Sequence, residues 1–296
     1  MRITVFTPTY NRADKIETLY RSLQAQTFHD FEWLVIDDGS VDHTDELFAK
    51  WSAEENPFPL RYVFSENKGK MKEMNSAIDL AQGTLFFTVD SDDALVPDAL
   101  EKIDKWEKEM PHDGSFCGLA GNAAYLDRHY ENPIFPVEYV DATMFQRYRD
   151  CGKEHIGYDR AWVFYTEVYR QYKFPEFEGE KFIAEAVSWN RMANDGWKIR
   201  CFNDIISIFE QHAGGLTNTM SRTLIDSPKG YGLWKAEMMR FRQYPLRKRL
   251  KEYYIFYCDL AQKHSWQQIA AYIQAPKLWM CLLHLYYSIK HGGVEK

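Results

Sequence analysis

The feature that most constrains this chain is a strand-then-helix rhythm repeated four times in its first 110 residues. The runs ITVFTPT (3–9), FEWLVIDD (31–38), LRYVFS (60–65) and TLFFTVD (84–90) are short, apolar and bounded by turn residues, as buried strands are. Between them, ADKIETLYRSLQAQ (13–26) carries Ile16, Leu19, Tyr20 and Leu23 at helical spacing. HTDELFAKWSAE (43–54), KMKEMNSAIDLAQ (70–82, closed by Gly83) and PDALEKIDKWEKEM (97–110, Pro97 in its first turn) predict three more helices. Such alternation is met by an α/β fold with a mostly parallel sheet and helices on both faces. Ligands of such sheets sit beyond the carboxyl ends of the strands. Three of these strands end in polar clusters: Thr7-Pro8-Thr9-Tyr10, Asp37-Asp38-Gly39-Ser40 and Asp90-Ser91-Asp92-Asp93.

From 115 to about 210 the pattern loosens into short strands, loops and one clear helix, AEAVSWNRMANDG (184–196). After HAGGLTN (212–218) the chain turns to aromatic-rich helices, which places a boundary near 220 and a helical extension over 221–296. The formal net charge of −7 is unevenly spread: residues 235–296 carry +7 and residues 1–234 carry −14. The acidic part argues against nucleic acid as a partner, and the basic, aromatic tail fits an anionic surface or a packing role. The five cysteines have no CxxC or zinc spacing and read as packing residues of a reducing compartment. With neither a secretory segment nor an apolar run of about 18 residues, the expectation is a cytoplasmic protein, with peripheral contact at the inner membrane face as an option.

Each rim cluster has two readings. Carboxylates gathered at Asp90, Asp92 and Asp93 can share a divalent cation through hard oxygens, or one of them caps the helix that follows. Asp37-Asp38-Gly39-Ser40 is either a turn or a carboxylate that accepts from a nucleobase N–H or a ribose hydroxyl. ENKGKMKEMN (66–75) sets lysines around a helix start, which suits a diphosphate or is a solvated face.

Taken in order and spacing, TPTYNR, FEWLVIDDGSVDHT, ENKGKMKEMNSAIDLAQG and FFTVDSDDALVPDAL resemble the nucleotide-binding half of the family 2 glycosyltransferases. The resemblance is dense over 1–105, thinner over 175–218 and absent beyond. It implies a GT-A type, Rossmann-like catalytic domain over 1–220, with a nucleotide-sugar half (1–110) and an acceptor half (111–220). It further implies an inverting transferase that moves one sugar from a nucleotide-sugar, UDP-linked by expectation, to a saccharide hydroxyl. Capsule, O-antigen or exopolysaccharide assembly is the setting, and the acceptor is free or lipid-linked. Position by position, Pro8, Tyr10 and Asp38 match residues lining the base and Asp90 a ribose contact. Asp92 matches the ligand of Mn²⁺ or Mg²⁺, and Lys70, or else Lys72, assists the diphosphate.

In inverting members a carboxylate deprotonates the acceptor hydroxyl. The usual sign is Glu-Asp at a helix start, six residues before an Arg and followed by a Gly-aromatic pair. Here Glu185 stands six before Arg191, with Gly196-Trp197 downstream, so Glu185 is the expected base. Ala184 replaces the first acid of the pattern, and Glu178 and Glu180 are rivals. His212, in FEQHAGGLTN, matches a histidine that reaches the metal or diphosphate, and Gly214 and Gly215 suit a closing loop. Two other functions compete: transfer to a polyprenyl phosphate, which needs no base, and a catalytically silent nucleotide-sugar-binding scaffold.

Overall fold

The computed structural model describes residues 1–125, 132–149, 151, 154–210 and 216–291. In chain order its elements are β1 (Ile3–Thr9), α1 (Glu17–Gln24), β2 (Phe31–Asp37), α2 (Thr44–Ala53), β3 (Leu60–Phe64), α3 (Lys70–Leu80), β4 (Leu85–Thr88), β5 (Ala94–Leu95), α4 (Ala99–Lys108), β6 (Phe116–Tyr125) and β7 (Tyr139–Ala142). They continue with a 3₁₀ turn (Met144–Arg147), β8 (Ala161–Tyr165), α5 (Thr166–Gln171), α6 (Ala186–Asn194), β9 (Lys198–Phe209), α7 (Leu216–Ile225), α8 (Pro228–Arg240), α9 (Leu246–Leu260), α10 (Trp266–Tyr272) and α11 (Lys277–His291). Two compact units result: 1–173 with 191–212, and 174–190 with 213–296, the division falling within α6.

The first unit holds one sheet in the order β3-β2-β1-β4-β8-β6-β9-β5, with β7 paired to β9. The four strands expected from the sequence are parallel neighbours, Ile3 opposite both Phe31 and Leu85. Every residue of β2 is buried, as a central parallel strand requires. Helix α1 buries Leu19, Tyr20 and Leu23 against this sheet. There Tyr20 stacks on Trp51 at 4.3 Å and on Trp33 at 5.8 Å, and Phe48 stacks on Tyr62 at 4.6 Å. Each such ring contributes about 1.5–3 kcal/mol by leaving water. Between α3 and β4, Gly83 is required by close approach: a Cβ there would lie 2.3 Å from the backbone nitrogen of Thr4.

The second half of the sheet departs from the expected short strands: β6 runs for 10 residues and β9 for 12. FCGLAGNAAY has little β propensity, so its extension comes from non-local pairing, antiparallel to β8 and parallel to β9. Gly118 and Gly121 allow this closeness, since a Cβ at either would strike Val163 or Ile206. Pro97 lies outside α4, which starts at Ala99. The cysteines are free thiols, three of them buried.

The second unit packs α8 against α9 and α10, and α10 against α11. Tyr231 of α8 sets its ring 4.8 Å from Phe256, and its hydroxyl donates to Asp259 at 2.7 Å. Among the described residues no helix is long and apolar enough to cross a membrane.

Candidate active site

Three neighbouring strand ends build the site. β1 and β2 run in parallel register to Thr9 opposite Asp37, and the chain stays paired one step further through the Asp38 N–H, which donates to the Thr9 carbonyl at 2.8 Å. The loops beyond are laced together: Asn11 N–H donates to Ser40 Oγ at 2.8 Å and Val41 N–H to Asn11 Oδ1 at 2.9 Å. Tyr10 stands between them, exposed, and Pro8 is half-buried opposite Ile36. Thr9 Oγ1 is buried and has no hydrogen-bond partner among the described residues.

The two aspartates after β2 divide their work. Asp37 is fully buried, accepting from the Ser40 N–H at 2.7 Å and from the Tyr62 hydroxyl at 2.6 Å. Burial, then the Asp37 carboxylate, hold the Tyr62 phenol far above its ordinary range. Asp37 is therefore structural. Asp38, also buried, accepts from the Lys68 N–H at 2.6 Å and the Gly69 N–H at 3.0 Å, so it ties the β2 exit to the amino end of α3. Both turns demand glycine: Gly39 has φ +82° and Gly69 φ +102°.

α3 begins at Lys70, whose ammonium lies 2.9 Å from Oδ2 and 2.8 Å from Oδ1 of Asp90. The acid turn after β4 is tight, with the Asp93 N–H donating to the Asp90 carbonyl at 3.0 Å. It is tethered to the end of β9 by the Glu210 N–H, 3.3 Å from Asp93 Oδ1. Burial, then the charges of Asp90 and Asp92, push the Asp93 carboxyl up to about 8, so its proton is the one that relieves the repulsion of three acids. The chain then enters β5, which pairs with β9 at Ile208.

This donor set fits a divalent cation in part. The oxygens are of the hard kind that Mg²⁺ and Mn²⁺ take, and these ions use one or two protein carboxylates together with substrate phosphates. Among the described residues no three Asp, Glu, His or Cys side chains form a group able to hold a metal by themselves. Substrate oxygens would have to complete the shell. His212, Gly214 and Gly215 lie outside the described residues.

In the second unit the rival carboxylates separate. Glu180 is buried, and its two oxygens accept from the Lys229 N–H and the Gly230 N–H, each at 2.8 Å, capping α8. Glu185 is half-buried immediately before α6 rather than inside its first turn, and its carbonyl accepts from the Trp189 N–H.

Sequence reasoning missed Glu73. It is wholly buried on α3 between Met71 and Met74, bonded to the Ser65 hydroxyl and 3.6 Å from Lys68 Nζ, and burial raises its carboxyl. A carboxylate on the apolar stripe of a helix was the available signal. A separate cavity of about 480 Å³, lined by Gly83, Tyr165, Arg170 and Trp197 among others, opens at the amino end of β4, away from the acid turn.

The chain is thus an α/β protein that gathers carboxylates, a lysine and a helix amino terminus at the carboxyl ends of its parallel strands. The chain belongs to glycosyl transferase family 2, whose model matches residues 4–173. It is 33% identical over 168 residues to the chondroitin synthase of Escherichia coli, covering 54% of this chain and 23% of that protein. The chain spans about half or less of the length of the curated relatives it matches. In fold it resembles S. aureus TarS 1-349 in complex with UDP-GlcNAc, with a TM-score of 0.61 over 88% of this chain and 72% of that one, at 19% identity. It also resembles the mannosyltransferase PcManGT from Pyrobaculum calidifontis in complex with GDP-Man and Mn²⁺, with a TM-score of 0.56 over 97% and 80%, at 18% identity.

Proposed function

We propose that this protein is an inverting, metal-dependent glycosyltransferase that moves one sugar from a UDP-linked donor to a saccharide hydroxyl in bacterial surface polysaccharide assembly. The observation that carries the reading is the meeting of Asp38, Lys70 and the Asp90–Asp93 turn at one rim within the segment that matches the family. The likeness to a chondroitin synthase and to a fold solved with UDP-GlcNAc supports the polysaccharide setting and the UDP donor.

In this reading Pro8 and Tyr10 border the base, and Asp38 accepts from it while ordering the 68–69 backbone. Asp90 holds the ribose. Lys70 pairs with Asp90 before the donor arrives and turns to the diphosphate once it has bound. Asp92, with His212, would hold Mn²⁺ or Mg²⁺, which when bound would supply positive charge to the departing diphosphate. Glu185 takes the proton of the acceptor hydroxyl, whose oxygen bonds to the anomeric carbon as the nucleoside diphosphate leaves from the opposite face. Both Glu180 oxygens accept from N–H groups of α8, so in this reading Glu180 is a helix cap and Glu185 is the base. Residues 1–110 serve the donor and 111–220 the acceptor, a saccharide that is free or lipid-linked.

The test is calorimetry with UDP-, GDP- and dTDP-sugars, each with and without Mn²⁺, followed by the anomeric configuration of the product. Metal-dependent binding of the UDP class and an inverted product are expected. Turnover that survives Glu185→Gln would replace this reading with transfer to a polyprenyl phosphate, and donor binding without transfer or hydrolysis would replace it with the silent scaffold.

A further inference from the structure

Helix α11 has two apolar faces, and packing within its unit uses one of them. On that side Met280 is buried, Tyr287 meets Tyr257 at 5.4 Å, and His284 Nδ1 lies 2.7 Å from the Tyr257 hydroxyl with Trp266 stacked on its ring. On the other side Leu278, Trp279, Leu282, Leu285, Tyr286 and Ile289 are each 53 to 83% exposed. At about 100° per residue these six fall within one arc of roughly 120°. Leu246 and Leu250 of α9, also exposed, stand one turn apart in line with Tyr254, whose ring is 5.6 Å from Tyr286. The two helices thus present one joined apolar surface, which a protein surrounded only by water does not ordinarily carry.

The charges around this surface name its occupant. The exposed Arg247 and Lys251 accompany the leucines of α9, while Arg249 is tied to the Tyr244 and Met239 carbonyls; Lys277 and Lys290 stand at the two ends of α11, with the Lys290 ammonium 5.2 Å over the Tyr254 ring. The acids of α9 are engaged within the unit: Glu252 with Lys235, and Asp259 with the Tyr231 hydroxyl. Apolar residues that include Trp and Tyr, bordered by cations, match the boundary between acyl chains and anionic headgroups. Fifteen helical residues reach about 22 Å, short of the roughly 30 Å hydrocarbon core, so α11 is of a length to lie along a bilayer surface and not to cross it.

We propose that the outward faces of α9 and α11 dock this protein on an anionic lipid bilayer. Nothing in this depends on the transfer reaction, because the surface lies wholly within the helical unit.

The experiment is flotation of the full chain with vesicles of phosphatidylethanolamine and phosphatidylglycerol, beside vesicles of phosphatidylcholine alone. The chain should float with the anionic vesicles, less so as salt rises, and remain behind with phosphatidylcholine. In the variant Leu282→Gln/Leu285→Gln, partition should fall about tenfold or more, with UDP affinity and melting temperature unchanged. A second variant, Arg247→Gln/Lys251→Gln, should lose partition at low salt while keeping its fold. Absence of flotation, or flotation that both variants retain, would overturn the proposal. A dimer of the parent chain that Leu282→Gln/Leu285→Gln converts to monomer, without lipid binding, would assign the face to a second copy and also overturn it.

Discussion

Lys70 Nζ grips both oxygens of Asp90, at 2.9 and 2.8 Å, across the space between the start of α3 and the end of β4. A half-exposed ion pair of this kind is worth at most about 1 kcal/mol to the fold. Its position, on the residues expected to meet a diphosphate and a ribose, gives it more weight in binding. Lys70→Met should leave the melting temperature within a degree or two of the parent. It should weaken UDP binding roughly tenfold, or about 1.4 kcal/mol. Calorimetry checks this, and unchanged affinity would remove Lys70 from the donor site.

Asp38 serves the fold as well as, in the proposed reading, the ligand. Replacing it by Ala orphans the Lys68 and Gly69 N–H groups and should cost about 1–3 kcal/mol of stability. Urea unfolding reads this directly, and an unmoved midpoint would contradict the capping role. UDP binding should fall in the same variant even under conditions where it is fully folded.

The two glutamates should fail in different ways. Glu180→Gln disturbs the cap of α8 and should lower stability by about 1–2 kcal/mol while leaving kcat per folded molecule near the parent value. Glu185→Gln should lower kcat about 10²–10⁴-fold without a change in melting temperature. The opposite pattern would exchange their roles.

Glu73 predicts a pH effect. Burial raises its carboxyl above the ordinary value of 4.5, so the folded chain binds this proton more tightly than the unfolded chain does. Its contribution to stability is therefore present below that value and declines as pH rises above it. Glu73→Gln keeps a partner for the Ser65 hydroxyl and removes the charge. Thermal melts between pH 4 and 8 should show a shallower decline in the variant, and parallel curves for the two proteins would refute this.

Asp92→Asn should abolish the metal dependence of donor binding, because the amide gives up the charge that a cation seeks. Titration with Mn²⁺ in the presence of UDP is the readout. Metal-dependent binding that persists in the variant would move the ligand role to Asp90 or Asp93.

Much of this protein was written locally. Apolar runs of four to eight residues, helical spacing such as Ile16-Leu19-Tyr20-Leu23, and polar residues at strand ends define β1 to β4, their helices and the rim that holds Asp38, Asp90 and Asp92, because each signal depends only on near neighbours in the chain. What lay beyond reach depended on residues far apart. The length of β6 comes from its pairing with β8 and β9 and from glycines at close approaches, not from propensity. Burial, with the charges of Asp90 and Asp92 beside it, drives the Asp93 carboxyl up to about 8, and that burial depends on packing no local pattern reveals. Glu180 and Glu185 look alike in sequence. Only the return of the chain at Lys229 and Gly230, about 50 residues later, makes the first a helix cap.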